Sequence, residues 1–182
     1  YQWAGFHIDI YDITTSATDP VVLNSTITLV PWAFNTDYFY NRIRMDSHSL
    51  DLNKVAIVWD NPYIGLQAIA CEAGHWGNIL NIGNTTGESG PDIAFTQNAA
   101  ASPEVNIVHH NASGTAITTS SIDFNTLMTA TGTVYPSIED VNNITVPIQS
   151  NLVLDGPDLT YGAHVWAYTY TDQNNQDVCV RH

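Results

Sequence analysis

Residues 66–82 read Leu-Gln-Ala-Ile-Ala-Cys-Glu-Ala-Gly-His-Trp-Gly-Asn-Ile-Leu-Asn-Ile, and the fold class turns on how this stretch is read. Extended, residues 66–71 and 78–82 are two strands joined through the bend at Gly74 and Gly77. Helical, residues 66–73 form one short helix. The neighbouring sequence favours strands. Just upstream, Lys54-Val-Ala-Ile-Val-Trp-Asp is a short apolar, β-branched run ended by the turn signal Asp60-Asn61-Pro62.

The same texture continues outward. Residues 4–13 alternate, with Phe6, Ile8 and Ile10 on one face and His7, Asp9 and Tyr11 on the other, the mark of a half-buried strand. Residues 21–30 form a second strand stopped by Pro31. Further strands are expected over 92–97, 105–110, 115–124, 132–135, 144–148, 152–154 and 160–171. Residues 172–177 then read as a hairpin loop leading to a closing strand at 178–181. About a dozen short strands, without a visible repeat or linker, predict one all-β domain over residues 1–182, a two-sheet sandwich of jelly-roll type.

Composition narrows the function classes. Only 12% of the 182 residues are charged, and four basic side chains face eighteen acidic ones, for a formal charge of −14. No basic patch can form to release phosphate counterions, so nucleic acid is excluded as a partner. Anionic lipid surfaces are disfavoured on the same ground, and no apolar run is long enough for membrane insertion. The polar surface comes instead from Asn, Thr, Ser, Gln and Asp, which suits a secreted or cell-surface protein. The chain opens on Tyr1 rather than Met, in keeping with removal of a leader.

Two cysteines in an exported chain are expected to form one disulfide, Cys71–Cys179. Closing a loop of roughly 100 residues stabilises a fold by about 4–5 kcal/mol in the chain-entropy treatment. Glycosylation sequons stand at Asn24, Asn84, Asn111 and Asn143. With 17 Asn and 31 Ser plus Thr, chance alone supplies about three, so their number carries no weight.

Chemistry-bearing patterns are few. Glu72 and His75 would share a face of a helix but oppose each other on a continuous strand. His109-His110 would send one ring to the core face of a strand and the other away from it, and the histidines as a set read as imidazoles scattered over strand surfaces. A transition metal would require His7, His48, His75 or His164 to gather by folding. The acidic turns 155–158 and 172–177 offer oxygens that calcium would accept, without an ordered calcium-loop spacing. No nucleophile elbow, phosphate loop or dinucleotide fingerprint occurs. Trp32, Tyr38 and Tyr40, beside Asn35, Asp37 and Arg42, would make a sugar-stacking ledge if exposed.

The expectation is therefore a structural or adhesive β-subunit that needs no cofactor and partners other copies of itself. The strand carrying Phe6, Ile8 and Ile10 (residues 1–13) is available for exchange between subunits. A carbohydrate-binding module or lectin, partnering glycans, and a small secreted hydrolase or metalloenzyme are the alternatives. Eighteen carboxylates repel one another near neutrality, but those held by specific hydrogen bonds have depressed folded pKa values. Their stabilisation is present above the unfolded pKa and is lost as pH falls through the folded one. The melting temperature is expected to fall on acidification and to show no step between pH 6 and 8. A thermal scan that rises steadily from pH 7 to pH 4 would contradict this.

Overall fold

A computed structural model describes residues 6–13, 21–29, 43–61, 64–83, 85–96, 102–112, 116–143, 147–154, 166–172 and 178–181. The strands in chain order are β1 (Phe6–Ile13), β2 (Val21–Leu29), β3 (Ile43–Ser47), β4 (Lys54–Asn61), β5 (Gly65–Glu72), β6 (His75–Trp76), β7 (Leu80–Ile82) and β8 (Ser89–Phe95). They continue with β9 (Glu104–His110), β10 (Ala116–Asp123), helix α1 (Phe124–Thr129), β11 (Thr133–Val134), β12 (Ser137–Asn143), β13 (Pro147–Leu154), β14 (Trp166–Asp172) and β15 (Val178–Arg181).

Two main sheets face each other. The larger runs β11-β7-β5-β4-β3 with β6 on the flank of β5, and the smaller runs β12-β10-β9-β8. The chain is an all-β sandwich, as the alternation of its strands implied. Pairing is antiparallel throughout except for β7 with β11, which run parallel. A β13-β14-β15 sheet and a two-stranded β1-β2 ribbon complete the strands.

The core follows from complementary size. Ala56, Ala68 and Ala70 form a floor of small side chains on the inner face of β4 and β5. Into the space they leave project Ile93, Phe95, Val105, Ile107 and Ile122 from the smaller sheet, with Phe124 and Leu127 from α1. The Phe95 and Phe124 rings meet at 5.6 Å between centroids. Alternating large and small residues across facing layers is how two sheets reach interior packing density without strain.

Polar groups fix one side of the sandwich. The Asp46 carboxylate on β3 accepts the backbone N–H of Phe95 on β8 at 2.8 Å. Arg44 Nε lies 3.5 Å from Asp92 Oδ1, two residues along β3 and three along β8. The buried His48 ring stands edge-on to Phe95 at 5.7 Å. Edge strands of different sheets are thereby tied through side chains rather than through a ladder. At the end of β10, α1 begins where Asp123 accepts the Thr126 N–H as an N-cap.

Three departures from the sequence reading have physical causes. Residues 115–124 were expected to be one strand, but Phe124 opens α1, because Asp123 caps it and Phe124 and Leu127 both reach the core. β3 was not expected at all; its Ile-Arg-Met-Asp-Ser pattern is stabilised by pairing with β4 rather than by its own apolar alternation. Likewise β12 forms over 137–143, paired with β10.

The stretch 66–82 is extended. Ala73 and Gly74, at φ of 49° and 82°, make a two-residue turn between β5 and β6 with both residues left-handed, as a type I′ hairpin demands. Alanine pays for this conformation and asparagine or glycine does not. Gly65 is tighter still, at φ of 102°, where a Cβ would stand 2.3 Å from the Thr85 carbonyl oxygen. Thr85 is itself locked, its hydroxyl accepting from Leu66 N and donating to Ile82 O. Ala73→Asn is expected to raise stability by about 0.5–1 kcal/mol, and Gly65→Ala to lower it by about 2–4 kcal/mol. Denaturant midpoints at unchanged slope check both.

Candidate functional site

The outer face of the larger sheet is where folding brings the sequence-nominated residues nearest one another. On β4 and β5 it presents Ile57, Trp59 and Ile69, all buried, with Ile43, Val55 and Trp76 packed against them. Ile8 of β1 joins this cluster. Buried outer-face side chains need a cover, and β1 supplies part of it.

β1 pairs with β2 of the same chain over its full length, with a register shift between Ile10 and Tyr11. The ribbon these two strands form is hydrogen-bonded to no other described strand. Its place on the sandwich therefore rests, among the described residues, on side-chain contacts such as Ile8. Tyr11 is half exposed. Phe6 and Ile10 sit on β1 with Ile8 at strand spacing, and only Ile8 has its surroundings described.

Cys71 lies on the same outer face, between Val55 of β4 and Trp76 of β6 in register. The expected Cys71–Cys179 disulfide is corrected here: Cys71 is a free, buried thiol. Cys179 pairs with Tyr170 in the separate β13-β14-β15 sheet. Burial pushes the Cys71 thiol pKa up, against a smaller lowering by the Gly74 N–H.

Glu72 and His75 were expected to oppose each other if extended. They are instead direct partners across the hairpin, because the turn at 73–74 folds β6 back beside β5 and returns His75 to the same face. Glu72 is engaged elsewhere: its Oε1 meets Lys54 Nζ at 2.9 Å, and Lys54 also pairs with Asp51. Lys54 Nζ stands 6.0 Å from the centroid of the Phe124 ring. The Lys54 hydrogen bond holds the Asp51 carboxyl below the usual carboxylate range, and Asp51 followed by Glu72 raises the Lys54 ammonium above its own.

Three histidines are not the surface groups expected, whereas His75 is exposed. His48, His109 and His110 are all buried. His109 and His110 do alternate across β9 as expected, yet both faces of the smaller sheet are covered. Val108, Asn106, Thr119 and Ser121 are buried on the face away from the main core, near which β13 passes. His109 Nδ1 lies 2.8 Å from Glu88 Oε2, without hydrogen-bond alignment. Glu88 is a residue the sequence did not nominate. Only folding shows it, since 21 positions separate it from His109.

Among the described residues no group of three His, Cys, Asp or Glu gathers to hold a metal ion. No described helix is long and apolar enough to cross a membrane. Asn111 closes the β9–β10 connection, its Oδ1 accepting from Ala116 N at 3.1 Å. Asn24 lies within β2 and Asn143 ends β12. Asn84, the Trp32–Tyr38–Tyr40 ledge, the 155–158 turn and residues 173–177 lie outside the described residues. Compared with known proteins, the chain matches no family model, no curated protein and no solved structure.

Two outcomes follow. In a Cys179→Ser variant the remaining thiol should react with a thiol-specific dye only after denaturant is added, which a stopped-flow absorbance assay reads. Asp51→Asn should lower stability by about 0.5–1 kcal/mol at neutral pH, a value discounted for the exposure of the carboxylate. Asp51, with its lowered folded pKa, stabilises above about pH 4 and loses this as pH falls; Lys54, with its raised one, stabilises below about pH 10 and loses this as pH rises. The difference between variant and wild type should therefore vanish toward both extremes in chemical denaturation.

Proposed function

We propose that the protein is a structural or adhesive β-sandwich subunit that works outside the cell and assembles with copies of itself by strand addition at the β1-β2 ribbon. The carrying observation is the isolation of that ribbon: among the described residues it shares no ladder with either main sheet. Among the described residues neither outer edge of the ribbon pairs with a further strand, and such an edge is one that another strand can complete.

Exchange of β1 alone would require breaking its eight-residue ladder to β2. Transfer of the ribbon as a unit exchanges only side-chain contacts, and the same cluster of Ile57, Trp59 and Ile69 waits on every copy. An Asn-, Thr- and Ser-rich composition supports an extracellular setting.

Sedimentation velocity across a concentration series, with negative-stain microscopy of the same samples, tests assembly. Wild-type protein should form multimers or filaments, and a variant lacking residues 1–29 should sediment as a monomer. Tyr11→Lys, which adds charge at an exposed position of β1, should weaken assembly about tenfold or more while leaving the melting temperature within a few degrees. Wild type that stays monomeric throughout, or a Tyr11→Lys protein that assembles like wild type, overturns the proposal.

A further inference from the structure

The outer face of the larger sheet changes character toward β7 and β11. Beyond the apolar cluster, a row of amides crosses the strands: Asn61 on β4, Gln67 on β5 and Asn81 on β7. Trp59 Nε1 donates to Gln67 Oε1 at 3.1 Å, and Asn61 Nδ2 donates to the same oxygen at 3.0 Å. Gln67 Nε2 then donates to Asn81 Oδ1 at 2.8 Å.

The direction of this relay is not arbitrary. An indole N–H can only donate, so the oxygen of Gln67 must face Trp59 and its nitrogen must face Asn81. Asn61 is oriented independently, its Oδ1 accepting the Ile64 N–H at 3.2 Å. Asn81 consequently presents its oxygen to Gln67, leaving its Nδ2 as a donor with no acceptor among the described residues. Orientation is built in from the buried end outward, so the last donor costs little to fix when a ligand arrives.

Beside that donor stands an aromatic ring. Thr133 of β11 is the direct neighbour of Asn81, and Val134 pairs with Ile82 toward the core. Tyr135 follows on the outer face, where its ring occupies the space that a Cβ on Gly83 would fill, 2.4 Å away. The ring is nevertheless 72% exposed. Gly83 is required there: its missing side chain lets an exposed tyrosine lie against the sheet surface, while Gly83 N donates to Val134 O at 2.7 Å.

We propose that Asn81, Thr133 and Tyr135 form a binding site for a neutral saccharide. The C–H face of a pyranose stacks on the Tyr135 ring, and ring hydroxyls accept from Asn81 Nδ2 and pair with the Thr133 hydroxyl. A flat surface with one anchored ring and short polar side chains fits a sugar better than an apolar ligand. The row contains no ionisable group other than the tyrosine phenol, and the chain carries a formal charge of −14, so neutral sugars are favoured over sulfated or carboxylated ones. The site is built from β7, β11 and the residue that follows β11, and needs only one copy of the chain.

Isothermal titration of the full chain with cellotetraose, mannotetraose, chitotetraose and a heparin-derived tetrasaccharide tests it. At least one neutral tetrasaccharide should bind with a dissociation constant on the order of 0.1–1 mM, and the heparin fragment should not. Tyr135→Ala should weaken binding about tenfold or more, while Tyr135→Phe keeps the ring and stays within about threefold. Asn81→Asp retains the acceptor for Gln67 but removes the donor, and should weaken binding about fivefold with the fold intact by circular dichroism. Failure of all three neutral sugars to bind, an unchanged affinity in Tyr135→Ala, or equal binding of the heparin fragment overturns the proposal. Each readout is independent of whether the ribbon drives assembly.

Discussion

The seating of two phenylalanine rings over three alanines is the constraint on which the rest of the sandwich depends. Ala56, Ala68 and Ala70 leave room for Phe95 and Phe124 among the aliphatic side chains of the same core, one ring brought by the smaller sheet and one by α1. Their placement fixes the distance between the layers. At the same residue Asp46 of β3 accepts the Phe95 N–H, so the ring and its backbone both tie β8 to the larger sheet. Loss of either ring would cost about 3–5 kcal/mol, a large share of the stability of an ordinary domain.

From that seating the two surfaces of the larger sheet acquire different uses. Alternation sends the alanines inward, and it necessarily sends Val55, Ile57, Trp59, Gln67, Ile69 and Cys71 outward. An outward row this apolar at one end must be covered, and β1 contributes Ile8 to it. At the other end amides replace aliphatics, and the face meets solvent through Tyr135. The assembly and the ligand binding proposed above would draw on one sheet face, divided by its own composition.

Much of the strand order was legible because β4, β5 and β9 carry their own signal: β-branched or apolar residues at strand spacing, ended by turn residues. β3 was hidden because its strand character is borrowed from β4. The hairpin partnership of Glu72 with His75 was hidden for a related reason: a two-residue turn reverses the facing rule that holds along one strand. The amide relay was invisible for want of proximity, since Asn61, Gln67 and Asn81 gain meaning only when three strands align them. The burial of His110 depends on what covers the second face of the smaller sheet, whereas His109 shares the core-facing side of β9 with Val105 and Ile107. The disulfide expectation failed because an even count of cysteines says nothing about which sheets receive them.

The link between β3 and β4 and the parallel pairing of β7 with β11 differ greatly in the length of chain they enclose. His48 bonds to Lys54 across six positions, whereas Asn78 reaches the Ala130 carbonyl across 52. Loop-closure entropy makes the longer closure costlier by about 2 kcal/mol, before any contact repays it. The β3-β4-β5-β6 meander is therefore the part of the larger sheet able to form first, and β11 the part that waits for α1 to land. Tyr135 follows directly on β11. The aromatic ring at the proposed sugar site is thus set in position by the last strand to join its sheet, and it reports on completion of the fold as well as on the ligand.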